Sequence, residues 1–398
     1  MIFLNRHKFK LLCKAAALFG TLCVPCLQSG RTAAATNPNQ NHPDLPKTRA
    51  VEPILLPMGV ADSAGEIGYI QSPEPFISQL NLSTGEGAWM SAYADRPLIP
   101  ISGMRLAAQS IESANTICVV ILDSARKGIR IFKSEPIVFP EWVNVIDGYG
   151  HSFHLSVKTR GGDLLLFWEA HAWYAGGAAP PPEVEARARK NALGGFRVNL
   201  TSGHVETLPD GKDPDEPASS LLPGLSAVTS QQYWTGSTWE TKPFIIGNEL
   251  KALVQDTAGD QQTLSLKSWD LATGKLLSAT TLITGRALWP QVTLNGGALL
   301  VRHAVAKETL PPGEDAWSIF SLQTGACLAK LPVSSFSGEV SVLNGRLYTV
   351  TSGKPQSFMH IDFVQQVIQR SLRAIDLKTG AVLWERPVAG KLILPPLP

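Results

Sequence analysis

The chain has 398 residues, of which 44% are hydrophobic and 17% charged, so it is too apolar for a disordered protein and has ample material for a core. Five of its 35 basic residues lie within the first 35 positions, which contain no acidic residue. The rest of the chain has 30 basic and 33 acidic residues. This balance argues against a nucleic-acid-binding protein.

Residues 1–35 are typical of a secretory signal peptide. A basic stretch ends at Lys14, an apolar run follows to Leu27, and Ala33-Ala34-Ala35 provides small residues for cleavage. The apolar run is too short for a transmembrane helix. We expect removal of this segment and export to the periplasm or beyond the cell, with an uncleaved anchor as one alternative.

A lipoprotein is the other alternative, but Cys26 follows Val24 and Pro25, which fit an acylation site poorly. We therefore predict a flexible linker over residues 36–50 and a mature domain over 51–398. No other run of about 20 apolar residues occurs, so the mature chain is expected to have no transmembrane span.

One short pattern recurs along the mature chain: a polar residue, Leu, any residue, Thr or Ser, and Gly. Aspartate or asparagine can hydrogen-bond the backbone of a tight turn, and glycine accepts the positive φ that such a turn needs. Strand-like residues flank each copy, so the pattern predicts β-hairpins. The copies are Asn81–Gly85, Asn199–Gly203, Asp270–Gly274, Ser321–Gly325 and Asp376–Gly380.

The spacing of these turns predicts propeller blades. The last copies are about 50 residues apart, and no helical pattern lies between them. The gap between Gly85 and Gly203 fits two repeats, with Lys127-Gly128 as a degenerate turn between them. We therefore predict an all-β fold: a single β-propeller of six to eight four-stranded blades.

The segment from Ala374 to Trp384 resembles the tryptophan-docking repeat of pyrroloquinoline-quinone (PQQ) type propellers. That resemblance covers most of residues 51–390 and implies that the Thr-Gly turns and the tryptophans lock neighbouring blades together. The residues expected to do so are Thr84, Gly85, Trp89, Thr273, Gly274, Thr324, Gly325, Asp376, Thr379, Gly380 and Trp384.

Further turn signals precede the Thr-Gly turns, and Asn344-Gly345 is the strongest hairpin dipeptide. Each blade is therefore expected to run strand A, turn, strand B, loop, strand C, Thr-Gly turn, strand D. The six blades are predicted at about 51–95, 96–137, 138–210, 211–284, 285–334 and 335–390.

Two further features of the ring are left open. A seventh blade could lie within the long stretch 138–240, and residues 391–394 are candidates for closing the ring beside the N-terminal strand.

The blade map separates the two cysteines of the mature chain. Cys118 falls on strand C of blade 2 and Cys327 on strand D of blade 5, nearly opposite each other. A disulfide needs Cα atoms within about 7 Å. We therefore predict two buried thiols with no bond between them.

The longest inserted segments predict a binding face. The Thr-Gly turns and the A–B turns share one face of the disc, whereas the B–C and D–A loops lie on the other. Residues 174–194 form a B–C insertion predicted to contain a short capped helix, and further insertions lie at 307–315 and 209–224. Residues 354–369 form another, which is either a helix or an extended strand C. Because loops often carry function, we predict binding through the face opposite the Thr-Gly turns. The candidate contact residues are Trp173, Tyr174, Arg187 and Arg189.

Motifs for catalysis and for metal binding are weak. His151, His154 and the acidic loop at 210–216 have poor metal-ligand spacing, and no nucleophile elbow, phosphate loop or dinucleotide fingerprint occurs. We predict no cofactor, catalytic residue or metal ligand.

The insertions also have an explanation without function. A surface loop can be lengthened at little cost in conformational free energy, so these segments can be longer without binding anything.

Three functions remain open at this point. The chain is similar in size and repeat type to the PQQ-like propeller component of the outer-membrane protein assembly machinery, which implies a monomeric, non-enzymatic scaffold for protein partners in the cell envelope. A quinoprotein dehydrogenase using PQQ and calcium shares the repeat, but those enzymes are longer and many carry adjacent cysteines, which this chain lacks. A carbohydrate- or polymer-binding propeller is the third reading.

Overall fold

The fold was taken from a computed structural model of the chain. The residues that it describes are 50–73, 76–102, 104–146, 151–172, 191–208, 211, 235–236, 239–240, 244–286, 288–304, 315–332, 338–359 and 364–392. All of them belong to one compact unit, Thr48–Pro398. The predicted signal peptide and most of the predicted linker lie outside the described residues.

The described residues form six antiparallel sheets of four or five strands, each built from consecutive segments of the chain. The first sheet, blade 1, comprises β1 (Ile54–Leu56), β2 (Gly59–Ala61), β3 (Ile67–Gln71), β4 (Ile77–Asn81) and β5 (Gly87–Ser91). Blade 2 comprises β6 (Arg96–Ile101), β7 (Arg105–Ser113), β8 (Thr116–Asp123), β9 (Ile129–Lys133) and β10 (Ile137–Val138). Strands β9 and β10 both pair with β8, so they form one interrupted outer strand.

The third sheet, blade 3, comprises β11 (His151–Arg160), β12 (Asp163–Ala172), β13 (Asn191–Asn199) and β14 (Val205–Leu208). A small hairpin follows, formed by β15 (Thr235–Gly236) and β16 (Trp239–Glu240). Blade 4 comprises β17 (Phe244–Ile246), β18 (Glu249–Ala258), β19 (Gln261–Asp270) and β20 (Leu276–Gly285).

The last two sheets follow the same order of strands. Blade 5 comprises β21 (Trp289–Val292), β22 (Ala298–Ala304), β23 (Asp315–Ser321) and β24 (Cys327–Pro332). Blade 6 comprises β25 (Val340–Leu343), β26 (Arg346–Met359), β27 (Val364–Asp376) and β28 (Val382–Leu392). A 3₁₀ turn at Ser124–Arg126 lies between the last two long strands of blade 2.

Apolar clusters between neighbouring blades arrange the sheets as a propeller. Separate clusters join blades 1 and 2, blades 2 and 3, blades 4 and 5, blades 5 and 6, and blades 6 and 1. Among the described residues no such cluster joins blade 3 to blade 4, where most of 209–243 lies outside the description. Each blade buries its faces on its neighbours, so the core is distributed around the ring.

Phe139 illustrates how a connecting loop completes one of these clusters. It follows β10 and is 2% exposed, with its ring edge-on to Phe153, Trp168 and Phe196 at centroid distances of 5.0, 5.3 and 5.8 Å. Edge-to-face aromatic pairs are favourable beyond their buried area. The D–A connection after blade 2 therefore fills the gap between blades 2 and 3.

The predicted all-β propeller is confirmed, and the observed blades lie within two residues of the predicted ranges, but the strands of blade 4 begin at Phe244, well after the predicted start at 211. The turn at Asn344-Gly345 is also confirmed, because both residues have positive φ (50° and 72°) and Leu343 pairs with Arg346. The predicted segment 354–369 proves to be extended strand on both sides of the B–C loop of blade 6.

Two predictions about chain ends and cysteines need correction. Lys391 and Leu392 belong to β28 and pair with β27, so they extend the outer strand of blade 6 and do not lie beside the N-terminal strand. Cys118 is buried as predicted, but Cys327 is exposed, because it lies on the outer edge strand of blade 5. Within the described chain no disulfide joins these two cysteines.

Candidate functional site

The Thr-Gly turns have one common geometry that explains their sequence. In each of the five copies the glycine N–H donates to the carbonyl four residues earlier, at 2.8–2.9 Å, and the glycine φ lies between 70° and 83°. In the last copy the Asp376 carboxylate also accepts hydrogen bonds from the Thr379 N–H and hydroxyl, at 2.7 and 2.8 Å. Asp270 and Thr273 repeat this arrangement.

These contacts alter the acidity of the turn aspartates. The hydrogen bonds from Thr379 lower the pKa of Asp376, and those from Thr273 lower the pKa of Asp270, because they stabilise the ionised carboxylates. Both carboxylates are solvent-accessible. The residues therefore act as turn-forming acceptors rather than as acid–base groups held in a pocket.

The leucine of the repeat ties the two turns of a blade together. The Leu377 N–H donates to the carbonyl of Gly345 in the A–B turn at 3.0 Å, and the Leu82 N–H donates to Glu66 O at 2.8 Å. The corresponding leucines of blades 3, 4 and 5 make the same bond. This pattern places the A–B and C–D turns on one face of the disc, with the B–C and D–A connections on the other.

Trp384 connects the last blade to the first. Its ring lies against Gly85, where an added Cβ would stand 2.6 Å from the Trp384 Cγ, and its Nε1–H donates to Leu82 O at 3.1 Å. Arg386 Nε donates to Gly85 O at 2.6 Å, and Tyr348 OH donates to Leu82 O at 3.2 Å. These contacts close the ring through side chains.

Trp89 makes the equivalent contact from blade 1 to blade 2. An added Cβ on Gly128 would stand 2.5 Å from Trp89 Cε3, and Gly128 has a φ of 74°. Lys127-Gly128 is therefore the degenerate turn that the spacing predicted, although it has one more residue than the other copies. Its Gly128 N–H donates to Asp123 O, five residues earlier.

Three other side chains contact the turn glycine of the next blade and were missed by sequence reasoning; Thr280 and Leu331 do so from the sixth position after their own turn glycine, not the fourth. Phe132 of blade 2 lies 3.7 Å from an ideal Cβ on Gly203 of blade 3. Thr280 of blade 4 and Leu331 of blade 5 meet Gly325 and Gly380 at 3.0 and 3.2 Å. Phe132 follows its turn glycine by four residues, as the tryptophans do, and this spacing is the signal that would have found it.

A β-bulge after the turn directs these side chains onto the next blade. In blades 1, 2, 4, 5 and 6 the register of strand D shifts by one residue between the second and fourth positions after the turn glycine. The extra residues are Ala88, Ile131, Leu277, Leu328 and Leu383. Bulges bend a strand and re-aim its side chains, so in blades 1, 2 and 6 the bulge precedes the residue that docks on the next blade: Trp89, Phe132 and Trp384.

The four predicted contact residues, Trp173, Tyr174, Arg187 and Arg189, lie outside the described residues. The same holds for 173–190 of the predicted helical insertion, whereas its last residues, 191–194, are part of β13 and pair with β12. The insertion at 307–314 and nearly all of 209–224 are also outside the description.

The described part of the face opposite the Thr-Gly turns exposes several large apolar side chains. Trp289 begins β21, the innermost strand of blade 5, and is 56% exposed. Tyr93, half exposed in the D–A connection after blade 1, does not belong to this set, because its ring lies 5.5 Å from the Arg130 guanidinium, beside the turn glycine Gly128 of blade 2. Ile146, in the connection after blade 2, is 51% exposed.

A groove of about 510 Å³ lies beside strands β13 and β14 of blade 3. Trp168, Phe196, Thr207 and Leu208 line it, together with Gly211. No charged side chain of the described residues lines it, so we assign it no ligand.

Neither a metal centre nor a membrane-spanning helix is found in the part of the chain that the structure describes. His154 lies on β11 and His171 on β12, where His171 Nε2 contacts Glu169 Oε1 at 2.9 Å. Of the acidic loop at 210–216 only Gly211 falls within the described residues, so its carboxylates lie outside them.

Comparison with known proteins gives only distant likenesses. No family model and no curated protein matches the chain. Among solved structures, a computationally designed protein, Ika8, matches at 10% identity with a TM-score of 0.26, over 84% of this chain and 90% of that one. BamB from Moraxella catarrhalis matches at 12% identity with a TM-score of 0.22, over 83% of this chain and 75% of that one. The fold assignment therefore rests on the sheets and inter-blade contacts described above.

Proposed function

We propose that this chain is an exported scaffold that binds other proteins through the face opposite the Thr-Gly turns, without a cofactor and without catalysis. The observation that carries the proposal is the exposure of Trp289 on that face. Tryptophan is enriched among the residues that dominate protein interfaces, because it buries a large rigid surface on binding.

The shape of this face supports the same proposal. The strands β26 and β27 of blade 6 continue well beyond β25, which pairs only with residues 346–349. At about 3.3 Å per residue, the ten residues Val350–Met359 extend β26 by about 33 Å from that point. This hairpin is a projection on the face to which the predicted insertions at 174–194 and 307–315 also belong, and projecting segments are common sites of partner contact.

Export would determine in which compartment the chain meets its partner. The leader at residues 1–35 predicts a location in the periplasm or outside the cell. A partner is therefore sought among proteins of the cell envelope or of the surroundings. The resemblance of the repeat to scaffolding propellers of the envelope favours the same class of partner.

The test is capture of crosslinked partners by the mature chain, residues 36–398, from the native envelope. Trp289→Ala is expected to reduce capture about tenfold or more relative to the unchanged chain. Leu277→Ala is the matched control, because Leu277 is similarly exposed (51%) but follows a Thr-Gly turn on the other face. If capture survives Trp289→Ala and is lost with Leu277→Ala, the binding surface lies on the side of the Thr-Gly turns, and the proposal is wrong.

A second measurement separates a scaffold from an enzyme. The mature chain is mixed with PQQ and calcium, and dye-linked oxidation of alcohols and sugars is followed together with quinone absorbance. The proposal expects no turnover. Sustained turnover that depends on both additions would overturn it in favour of a quinoprotein dehydrogenase.

A further inference from the structure

Three blades use a polar side chain of strand B to reach the C–D turn of the next blade. The three residues occupy one structural position, three residues after the carbonyl to which the turn leucine of the same blade donates. At the junction of blades 1 and 2, Tyr69 OH lies 3.0 Å from Ser124 Oγ. At the junction of blades 6 and 1, Tyr348 OH donates to Leu82 O at 3.2 Å. The third residue is Lys251 of blade 4, so an ammonium takes the place of a phenol at the junction with blade 5.

Lys251 is buried at that junction, with 7% of the residue exposed. Its ammonium donates to the carbonyl of Gln323, inside the Thr-Gly turn of blade 5, at 2.6 Å. Glu249 Oε2 lies 3.2 Å from the same nitrogen and accepts from the Ser268 hydroxyl at 2.5 Å. A buried ammonium is costly unless it is paired and hydrogen-bonded, so the Glu249 carboxylate supports the contact between the two blades.

The rest of this junction differs from those that tryptophan closes. Blade 4 has Ser278 four residues after its turn glycine, where blades 1 and 6 have the docking tryptophan. A second polar contact crosses the junction, because the Leu288 N–H of blade 5 donates to Gln262 Oε1 of blade 4 at 2.8 Å. An apolar cluster completes the contact. Blades 4 and 5 are therefore held by apolar packing together with polar contacts, and one of these contacts depends on a charge pair.

We propose that Lys251 and Glu249 form an acid-sensitive latch, which holds blade 4 on the turn of blade 5 while Glu249 is ionised and loosens when Glu249 is protonated. Protonation leaves the Lys251 ammonium buried without its counter-ion, and this makes the closed junction less favourable. The junctions that use Tyr69 and Tyr348 have no equivalent dependence, because phenols stay neutral throughout the acidic range.

The contacts of Glu249 define the pH range in which the latch loosens. The hydrogen bond from Ser268 and the interaction with Lys251 lower the pKa of Glu249, because they stabilise its ionised form. An unfolded chain has a glutamate pKa of about 4.3. The stabilisation is therefore fully present above that pH and is lost as the pH falls through the lower folded pKa.

One other carboxylate beside the latch titrates in the same range. Asp270 lies opposite Glu249 in the register of β18 and β19, and its carboxylate accepts hydrogen bonds from Thr273. Strand β17 on the other side, Phe244–Ile246, and the facing turn of blade 5, Ser321–Gly325, contain no titratable side chain. A variant at Glu249 therefore separates its titration from that of Asp270.

The test is amide hydrogen exchange of the mature chain, residues 36–398, between about pH 7 and pH 3, compared with the intrinsic exchange rate at each pH. The Leu288 N–H reports on the junction of blades 4 and 5. The Leu294 N–H, which donates to Val340 O at 2.8 Å, reports on the junction of blades 5 and 6. Protection at Leu288 is expected to fall about threefold or more in acid relative to protection at Leu294.

Two variants test whether the pair causes this fall. Glu249→Gln is expected to lower protection at Leu288 already at neutral pH and to remove the further fall in acid. Lys251→Met leaves no ammonium to lose its counter-ion, so protection at Leu288 should no longer follow the titration of Glu249. Glu385→Gln is the matched control, because Glu385 is similarly exposed (40% against 43%) and pairs with Arg373 at 2.8 Å within blade 6.

The control variant should leave both the protection at Leu288 and its dependence on pH unchanged. A fall at Leu288 no larger than that at Leu294, or an equal fall in Glu249→Gln or Lys251→Met, would overturn the proposal. None of these outcomes depends on capture of a partner, so the latch and the scaffold function are tested separately.

Discussion

Trp384 and Gly85 are 299 positions apart in the chain, yet the indole of Trp384 lies directly on the Gly85 backbone. The contact works only because Gly85 has no side chain, and the positive φ of 73° at Gly85 is one that glycine adopts without strain. It joins the last Thr-Gly repeat to the first. The stability of the closed ring should therefore depend on a few residues at this junction and its equivalents.

The two docking tryptophans are expected to respond differently to loss of the indole N–H. Trp384 Nε1 donates to Leu82 O, whereas buried Trp89 Nε1 meets no acceptor within the described residues. Trp384→Phe should therefore lower the free energy of unfolding by about 1 kcal/mol more than Trp89→Phe, since both lose similar ring surface and only one loses a hydrogen bond. Urea denaturation of the two variants measures the difference, and equal losses would show that the Trp384 bond contributes nothing.

Phe132 is expected to stabilise the junction between blades 2 and 3. Because its ring is half-buried against Gly203, Phe132→Ala should cost about 1–2 kcal/mol of unfolding free energy. Ile129→Ala, on the same strand but 48% exposed, is the control and should cost less than about 0.5 kcal/mol. Equal effects in thermal or urea unfolding would rule out a docking role for Phe132.

The Thr-Gly turns should make stability depend on pH in the acidic range. Hydrogen bonds from Thr379 hold the pKa of Asp376 below its unfolded value, which is about 3.9. The stabilisation is therefore fully present above the unfolded pKa and is lost as pH falls through the lower folded pKa. Asp376→Asn keeps an acceptor, as Asn81 and Asn199 do in other blades, but cannot titrate.

The measurement for this prediction is the free energy of unfolding of both proteins between about pH 7 and pH 2, which spans the carboxylate range. The difference in unfolding free energy between the unchanged chain and Asp376→Asn should be constant near neutral pH and should become smaller as the pH falls. If the unchanged chain instead gained unfolding free energy relative to Asp376→Asn as the pH falls, the ionised Asp376 would destabilise the fold, contrary to the geometry of the turn.

The sequence was sufficient to predict the blades, because a hairpin turn has local chemistry. The Asp, Asn or Ser, the Thr or Ser and the Gly of each turn form their hydrogen bonds within five residues, and even the longer turn at Lys127-Gly128 could be found from spacing. The docking of Trp384 on Gly85 was implied by a family resemblance only, since no local pattern states which blade a side chain meets.

Other features depend on contacts that a repeat pattern does not encode. The bulges were missed, although Leu276-Leu277 and Val382-Leu383 are adjacent apolar pairs whose members cannot share one face of a regular strand. The same bulges leave both members of each pair exposed. Cys327 was expected to be buried because the sequence placed it on a strand. The sequence did not show to which side of that outer edge strand its side chain points. The contact residues proposed for the opposite face lie outside the described chain and stay predictions.

The measurement that tests the closed ring most directly is a double-mutant cycle at Gly85 and Trp384. Gly85→Ala adds a Cβ that meets the indole, so it should cost about 1–3 kcal/mol more than Gly345→Ala, a glycine of nearly the same φ with open space around it. In the Trp384→Ala background most of that excess should disappear, because the indole atoms at 2.6 and 2.7 Å are removed and only the Cβ of residue 384 remains, at 3.0 Å. If Gly85→Ala costs the same with and without Trp384, the first and last blades do not meet as described.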